Sequence, residues 1–247
     1  MRTKFRQSLK ELLLNSSGVA LTEFALMTPI LLTVGLYGLE SANLAITHMK
    51  VSQAAMQVAD NATRIGEKST LDSRRIYEDE IIDVLVGVDL QFGTSLDLYE
   101  HGRVILSSQE VDPDDPSETQ QYIHWQRCKG KRNASSNYGG AGTGKGDPSF
   151  KGMGPETEEV LALPEDAVMY VEIEYEYQPL VTDAVISNRI IRVESSFNVR
   201  NDRDLTQIYQ KDPINPVAAE TCDKFDKYRT SAAPRFESGG WEWQKGS

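Results

Sequence analysis

The chain contains 247 residues, which is enough for one ordinary domain with appendages or for two small domains. It has 37 acidic residues against 26 basic ones and a formal net charge of −11. This excess argues against a nucleic-acid-binding protein, because such proteins usually present a basic surface.

Positive charge is concentrated at the N-terminus. Four of the first 18 residues are basic and one is acidic, so this segment carries about +3 and the other 229 residues carry about −14. Basic residues that flank an apolar segment remain in the cytoplasm during membrane insertion. The distribution predicts a cytoplasmic leader over residues 1–18 and export of the acidic remainder.

An apolar segment follows the basic leader. Phe24–Leu39 contains 16 residues without a charge, and as a helix it would cover about 24 Å of the roughly 30 Å hydrocarbon core of a bilayer. Extension in both directions predicts a transmembrane helix over residues 19–46, which then includes Glu23 and Glu40. Glu40 can reach the outer interface, whereas Glu23 lies just inside the apolar segment, where an unpaired carboxylate is costly.

Three interpretations of this N-terminus compete. A cleavable secretory signal would end at small residues such as Ser41-Ala42, but its basic region would be long and Glu40 crowds that position. A plain transmembrane anchor would keep its leader. Helices of a third class are cleaved before the apolar segment, and this class fits the residues best.

The third interpretation rests on the residues around Gly18. A glycine at the cytoplasmic edge, a glutamate five residues later and an adjacent aromatic residue, here Gly18, Glu23 and Phe24, resemble the type IV prepilin pattern. The 50 residues that begin at Gly18, with their Glu-Phe-Ala-Leu run and Pro29, are similar to the N-terminal region of TadE-like (TadE/TadF family) pseudopilins of the tight-adherence (Flp) type IVb pilus system. The similarity covers a fifth of the chain.

This resemblance implies a minor pseudopilin that supports pilus assembly. A prepilin peptidase would cut between Gly18 and Val19, and Glu23, beside Phe24, would pair with the freed amine of a neighbouring subunit. Such pairing would make a buried carboxylate less costly and favour one axial register. Without it, Glu23 would be an interfacial residue of no specific role. The implied partners are the bacterial inner membrane, the peptidase, other pilins or pseudopilins and the pilus assembly platform.

The helix is expected to continue beyond residue 46. Seven residues spaced by four and three form one face: Leu44, His48, Val51, Ala55, Val58, Ala62 and Ile65. These mostly small residues could pack against a partner helix or against the protein's own sheet. The helix is predicted to end near Gly66, and a second helix is predicted from Ser73, which can cap it, to residue 86, before Gly87.

Strand patterns follow the helices. Residues 94–99 and 103–109 flank a turn signal and predict a hairpin, and residues 121–127 predict another strand. Two further strands are predicted at 168–177 and 191–199, where apolar and polar residues alternate. The acidic row of the first, Glu172, Glu174 and Glu176, is expected to face solvent; binding of a cation and pairing with Arg192 are the alternatives.

These elements predict an α+β fold like that of pilins. A long N-terminal transmembrane and amphipathic helix would lead into an extracytoplasmic domain over residues 47–200 with a small antiparallel sheet. Residues 201–247 show little periodicity and predict an extended tail. In an oxidising periplasm Cys128 and Cys222 could form a disulfide, whereas in the cytosol they would remain unpaired.

No residue pattern predicts catalysis, so we expect a protein that is not an enzyme. The three histidines lack metal-ligand spacing, and we expect neither a metal site nor a cofactor. The run Gly139–Gly146 imitates a phosphate loop, but Gly146 stands where Ser or Thr is needed, and the run predicts a flexible loop. The alternative to a pseudopilin is a permanently membrane-anchored periplasmic module that binds a ligand or a surface and keeps its first 18 residues.

Overall fold

The computed structural model describes residues 17–66, 74–181, 189–199, 202–226, 234–237 and 240–243. The fold is α+β, as predicted: a long apolar N-terminal helix precedes a four-stranded antiparallel sheet with shorter helices. The chain divides into two compact units, Met1–Ala45 with Pro179–Ser187, and Ile46–Gln178 with Asn188–Ser247. The predicted basic leader lies outside the described residues as far as residue 16.

The helix α1 runs from Ser17 to Ala62. Large apolar side chains are exposed along its part in the first unit, from Val19 to Leu39. A helix that is apolar on every side is typical of a membrane span. Among the described residues it is the one helix long and apolar enough to cross a bilayer.

The part of α1 in the second unit is buried along the predicted face. Four residues of that face have no exposed surface: Val51, Ala55, Val58 and Ala62. The Arg203 guanidinium donates to the carbonyl oxygens of Ala62 and Ile65 and also contacts the sulfur of Met169 in the sheet. The face therefore packs within its own domain, which was the second of the two alternatives. The helix ends at Ala62, before the predicted Gly66.

The second helix, α2, spans Glu78–Phe92, so the prediction of a helix over residues 73–86 was wrong in its limits. Gly87 lies inside the helix, and Gly93 ends it. The helix begins later because the Glu80 carboxylate accepts a hydrogen bond from the backbone N–H of Tyr77 (3.2 Å), which satisfies a free donor at the helix start. The predicted cap Ser73 lies outside the described residues.

The predicted strand over residues 94–99 was also wrong. A 3-10 turn at Gly93–Ser95 and the short helix α3 at Leu98–His101 occupy this stretch. The phenol of Tyr99 donates to the backbone carbonyl of Leu85 in α2, and that of Tyr175 donates to the carbonyl of Leu96. These long-range contacts outweigh the local strand preference of the residues.

The sheet contains β1 (Gly102–Val111), β2 (Gln121–Lys129), β3 (Ala167–Glu176) and β4 (Ile190–Asn198) in the order β2-β1-β3-β4, with every pairing antiparallel. Four predicted strands agree with these limits within two residues. A separate pair of short strands joins β5 (Pro234–Glu237) to β6 (Gly240–Trp243). The fold of the second unit is thus a helix-bearing sheet, as expected from the alternating patterns.

Both faces of the central strands are covered, so the prediction of a solvent-facing acidic row on β3 was wrong. Glu172 is only 6% exposed. Arg132, from the loop after β2, pairs with both Glu174 and Glu176 at 2.7 and 2.6 Å. The alternative partner Arg192 also pairs with Glu174, at 2.9 Å. The loop between β2 and β3 therefore supplies a cation to two of the three carboxylates, and Glu172 instead accepts a hydrogen bond from the backbone of Asn137 in the same loop.

Candidate membrane and assembly site on the N-terminal helix

The residues predicted for processing and assembly lie in the first turns of the described part of α1. Gly18, Val19, Glu23 and Phe24 are all exposed, with Phe24 67% exposed. Val19 and Glu23 are four residues apart on one helix, so their side chains share a face. A Cβ built on Gly18 would meet no atom within 4 Å. This end of α1 is therefore accessible.

Three threonines within the apolar part of α1 hide their polarity inside the helix. The hydroxyl of Thr22 donates to the backbone carbonyl of Val19, three residues earlier (2.8 Å). The hydroxyls of Thr28 and Thr33 donate to the backbone carbonyls four residues earlier, of Phe24 (2.6 Å) and Pro29 (2.7 Å). Hydrogen bonds of this kind satisfy a hydroxyl without water. The threonines are therefore compatible with a hydrocarbon environment.

Glu40 is also satisfied, by a contact that the sequence did not predict. Its side chain has no exposed surface. One carboxylate oxygen lies 2.9 Å from the backbone N–H of Val181, and both oxygens lie within 3.2 Å of the N–H of Leu180. All three residues belong to the first unit. Hydrogen bonds from within the protein therefore satisfy this carboxylate, and the expectation that Glu40 reaches the outer interface stays a prediction.

Glu23 is different from these residues. Within the described part of the chain its carboxylate makes neither a hydrogen bond nor an ion pair, and it is exposed among apolar side chains such as Leu21 and Phe24. An ionised carboxylate is expensive to bury without a cation or donors. Glu23 is therefore a charged group on this apolar surface that an external partner could satisfy.

A disulfide joins Cys128 at the end of β2 to Cys222, with sulfurs 2.06 Å apart. Next to it, the Lys129 ammonium pairs with Glu220 (3.2 Å) and Asp226 (2.9 Å). Residues 202–226 contain no helix or strand, whereas β5 and β6 lie further along the predicted tail. They are nevertheless held against the sheet, since Glu220 is 3% exposed.

A cluster of carboxylates and phenols lies where β3 and β4 pair. Glu172 stands directly opposite Glu194. The phenols of Tyr138 and Tyr170 both donate to Glu194, at 2.8 and 2.5 Å, while Glu172 accepts from the backbone of Asn137 at 2.8 Å. Burial raises the pKa of Glu172, and burial also raises the pKa of Tyr138 to about 12. These contacts attach the loop after β2 to the sheet.

A cleft of about 690 Å³ opens beside β1 and β2. Its wall includes the Glu110–His124 pair (2.8 Å) and Tyr122, whose ring centre lies 5.6 Å from that of His124. Asp112 accepts from the backbone N–H groups of residues 114 and 146. Carboxylates beside an aromatic ring suit a cationic or hydroxylated small molecule. These carboxylates, however, already accept hydrogen bonds from other groups in the wall of the cleft.

The glycine-rich run after β2 is ordered against that strand, so the prediction of a flexible loop was wrong. The backbone of Ile123 donates to the carbonyl of Thr143 (2.8 Å) and accepts from Gly142 (2.6 Å). Gly144 has φ +92°, and an added Cβ would approach the carbonyl of Gln121 to 2.6 Å.

In the described parts of the chain no group of three or more metal-ligating side chains converges.

The chain matches no protein-family model, no curated protein and no solved structure. The site on α1 is an apolar helix whose threonine hydroxyls donate to helix carbonyls. The Glu40 carboxylate accepts hydrogen bonds from Leu180 and Val181. The Glu23 carboxylate has no such contact among the described residues.

Proposed function

We propose that this protein is a minor pseudopilin of a tight-adherence pilus. In this proposal α1 anchors it in the bacterial inner membrane with the leader in the cytoplasm and the sheet domain in the periplasm. A prepilin peptidase removes residues 1–18 by cutting between Gly18 and Val19. The mature protein then contacts other pilins or pseudopilins and the assembly platform, and it supports filament assembly.

The observation that supports this proposal is the difference between Glu23 and every other polar side chain named above on the apolar part of α1. The threonine hydroxyls are bonded to helix carbonyls, and Glu40 accepts from Leu180 and Val181. Glu23 has no comparable contact among the described residues. A cationic partner from outside, such as a neighbouring Val19 amine, would remove most of the cost of placing this carboxylate in the membrane.

The spacing of the two groups sets a geometric condition on assembly. Four helical residues separate Glu23 from Val19, which corresponds to about 6 Å along the axis. Parallel neighbouring helices that pair these groups would be displaced axially by about that distance. Because the rest of the apolar surface is nonspecific, the ion pair would choose one register among many.

Two features support the proposed orientation. The first 18 residues carry about +3, which favours retention of this end in the cytoplasm. The disulfide between Cys128 and Cys222 suits an oxidising compartment such as the periplasm. Both features favour a location of the sheet domain on the periplasmic side of the membrane, where a pilus would be assembled.

The test separates cleavage from assembly. We expect Glu23→Ala to be cleaved normally but to abolish piliation, because the helix keeps its cleavage site and loses its ion-pair partner. Thr22→Ala is the matched control, since it removes a neighbouring polar group that is satisfied inside the helix. N-terminal sequencing from cells with and without the peptidase should give Val19 only in the first. Normal piliation by Glu23→Ala would remove the proposed role of Glu23, and mature protein that begins at Met1 would remove the whole proposal.

The second candidate is a permanently anchored periplasmic module that binds a ligand, and the cleft beside His124 favours it. This candidate requires that residues 1–18 remain attached in cells with active peptidase. It also requires that changes in the cleft, such as His124→Ala, abolish function, whereas Glu23→Ala leaves function intact. The pseudopilin proposal expects the opposite result from both variants.

A further inference from the structure

The contact at Glu40 attaches a second piece of chain to the membrane-proximal end of α1. Residues 179–181, Pro-Leu-Val, begin three residues after the end of β3 at Glu176 and belong to the same unit as the apolar part of α1. Two consecutive backbone N–H groups, of Leu180 and Val181, point at the Glu40 carboxylate. Hydrogen bonds to an ionised acceptor are stronger than those between neutral groups. Residues 179–181, called the Glu40 turn below, are therefore held at the position of Glu40 along the axis of α1.

That height coincides with a boundary of the bilayer. From Val19 to Glu40 the helix rises about 32 Å, which is close to the roughly 30 Å thickness of the hydrocarbon core. If the cut terminus of Val19 lies at the cytoplasmic boundary, Glu40 lies at the outer one. There the Glu40 carboxylate accepts hydrogen bonds from the backbone N–H groups of Leu180 and Val181 and has no exposed surface.

Leu180 contributes only its backbone N–H to this contact and is 63% exposed. Leu36 and Leu39, on the neighbouring turn of α1, are 44% and 50% exposed. An exposed leucine held beside an exposed apolar helix surface extends that surface rather than standing alone. The same apolar medium that covers Leu36 and Leu39 would also cover Leu180.

We propose that Leu180 is a second lipid contact, inserted at the boundary between headgroups and acyl chains of the outer leaflet of the inner membrane. Glu40 is its positioning residue. This inference rests on the proposed membrane anchoring through α1. It adds that the protein touches the membrane at two places in its sequence, so that the segment after β3 is tied to the lipid surface.

The experiment uses the full chain in phospholipid vesicles, with a fluorophore at one introduced cysteine and the native disulfide intact. Leu180→Cys is the test position, and Leu163→Cys, a leucine of similar exposure (60%) in the second unit, is the matched control. Val34→Cys reports whether α1 spans the bilayer. Nitroxides are placed on the lipid either near the headgroup or near the end of the acyl chain.

We expect the label at Leu180 to be quenched by the shallow nitroxide more than by the deep one, and the label at Leu163 by neither. Quenching at Val34 without quenching at Leu180 overturns the inference and leaves the anchoring intact. Equal quenching at Leu180 and Leu163 also overturns it, because the contact would then not depend on the Glu40 turn. No quenching at Val34 removes the anchoring itself.

A second pair of variants tests the role of Glu40. Glu40→Ala should reduce the shallow quenching at Leu180 several-fold and leave the quenching at Val34 unchanged, because only the turn loses its acceptor. Glu40→Gln retains one carbonyl oxygen that can accept from Val181, and we expect it to recover part of the signal. Unchanged quenching in Glu40→Ala would show that Glu40 does not position Leu180 and would overturn that part of the inference.

Discussion

The guanidinium of Arg103 lies 4.1 Å from the centre of the Phe225 ring, inside a protein whose sequence gives no hint that the two residues meet. The same guanidinium donates to three backbone carbonyls, of Gly130 (3.1 Å), Lys224 (2.9 Å) and Cys222 (2.6 Å). Arg103 has no exposed surface. A cation at the start of β1 thus holds the segment around Cys222 on the sheet through carbonyls and an aromatic face.

Burial lowers the pKa of Arg103, while the charges of Asp226 and Asp223 oppose that change. The side chain remains protonated at neutral pH because arginine begins from a very high pKa. Its cost of desolvation is therefore offset by its contacts rather than by loss of a proton.

We expect Arg103→Met to lower the free energy of unfolding by about 2–4 kcal/mol, because it leaves three carbonyls without this donor, that of Gly130 in a buried position, and removes the contact with Phe225. Denaturant unfolding of the full chain in detergent measures this change. Arg64→Met is the control: its side chain is 69% exposed and pairs with Asp60 one turn away, so it should cost at most about 0.5 kcal/mol. Equal effects of the two variants would contradict the structural role of Arg103.

The disulfide joins Cys128 and Cys222, which are 94 residues apart in sequence. A crosslink over a loop of this length restricts the unfolded chain, and we expect its removal in the double variant Cys128→Ser/Cys222→Ser to cost about 2–5 kcal/mol. Unfolding of wild type with and without reductant provides the comparison. Reductant should destabilise wild type and leave the double variant unchanged; a variant as stable as the oxidised wild type would refute the expectation.

Glu172 should make stability depend on pH. Burial raises its pKa, and the opposing Glu194 charge adds to this, although the donor at Asn137 favours the charged form. A carboxyl with a raised pKa in the folded state binds more protons there than in the unfolded state. Its contribution is therefore complete below the usual glutamate pKa and is lost as pH rises through the raised value. We expect Glu172→Gln to be more stable than wild type at pH 7, with the difference vanishing in acid, as measured by unfolding across pH.

Glu174, two residues along β3, provides a control of opposite sign. Burial raises its pKa, but Arg132 and Arg192 outweigh burial, so the pKa of Glu174 is lowered overall. Its contribution is present above the usual glutamate pKa and is lost as pH falls through the lowered value. Glu174→Gln should therefore be less stable than wild type at pH 7 and similar to it in strong acid. If both variants shifted stability in one direction, the assignment of the two environments would be incorrect.

Gln109 acts as a substitute for a strand neighbour inside the domain. Its amide accepts from the backbone of Met153 (2.6 Å) and donates to the carbonyl of Val160 (2.6 Å) and to the side chain of Gln121 (2.9 Å). We expect Gln109→Leu to cost about 2–4 kcal/mol, because it leaves buried backbone groups unsatisfied at similar volume. Amide exchange should accelerate around Met153 and Val160, whereas Gln178→Leu, at an exposed position, should change neither property.

Gly18→Leu tests the proposed processing site without disturbing the helix. Gly18 lies in α1, and a Cβ there meets no atom within 4 Å, so leucine can be accommodated and is a better helix former than glycine. We expect cleavage to be abolished because the added side chain obstructs the peptidase, as seen by N-terminal sequencing. Gly35→Leu is the matched control, since Gly35 is also a helix glycine with open space around it. Normal cleavage of Gly18→Leu would place the cut elsewhere.

The agreement between sequence and structure follows how locally each feature is encoded. The apolar run of α1 and the alternation in β3 depend on neighbouring residues, and both were predicted within a few residues. The prediction of a strand over residues 94–99 was wrong because Tyr99 and Leu96 form hydrogen bonds with partners in α2 and β3. The prediction of a flexible loop over the glycine-rich run was wrong because its composition does not show its contacts with β2.

By itself, the sequence determined an apolar helix with Glu23 near its start, a sheet of alternating strands and a pair of cysteines. Only the tertiary structure decided which charges are satisfied. Glu40 meets Leu180 across 140 residues, and Arg103 meets Cys222 across 119. The free energy of a buried charge depends on the donors and acceptors that surround it, and those come from distant parts of the chain. A local pattern reports where a charge lies in the sequence but not what it touches.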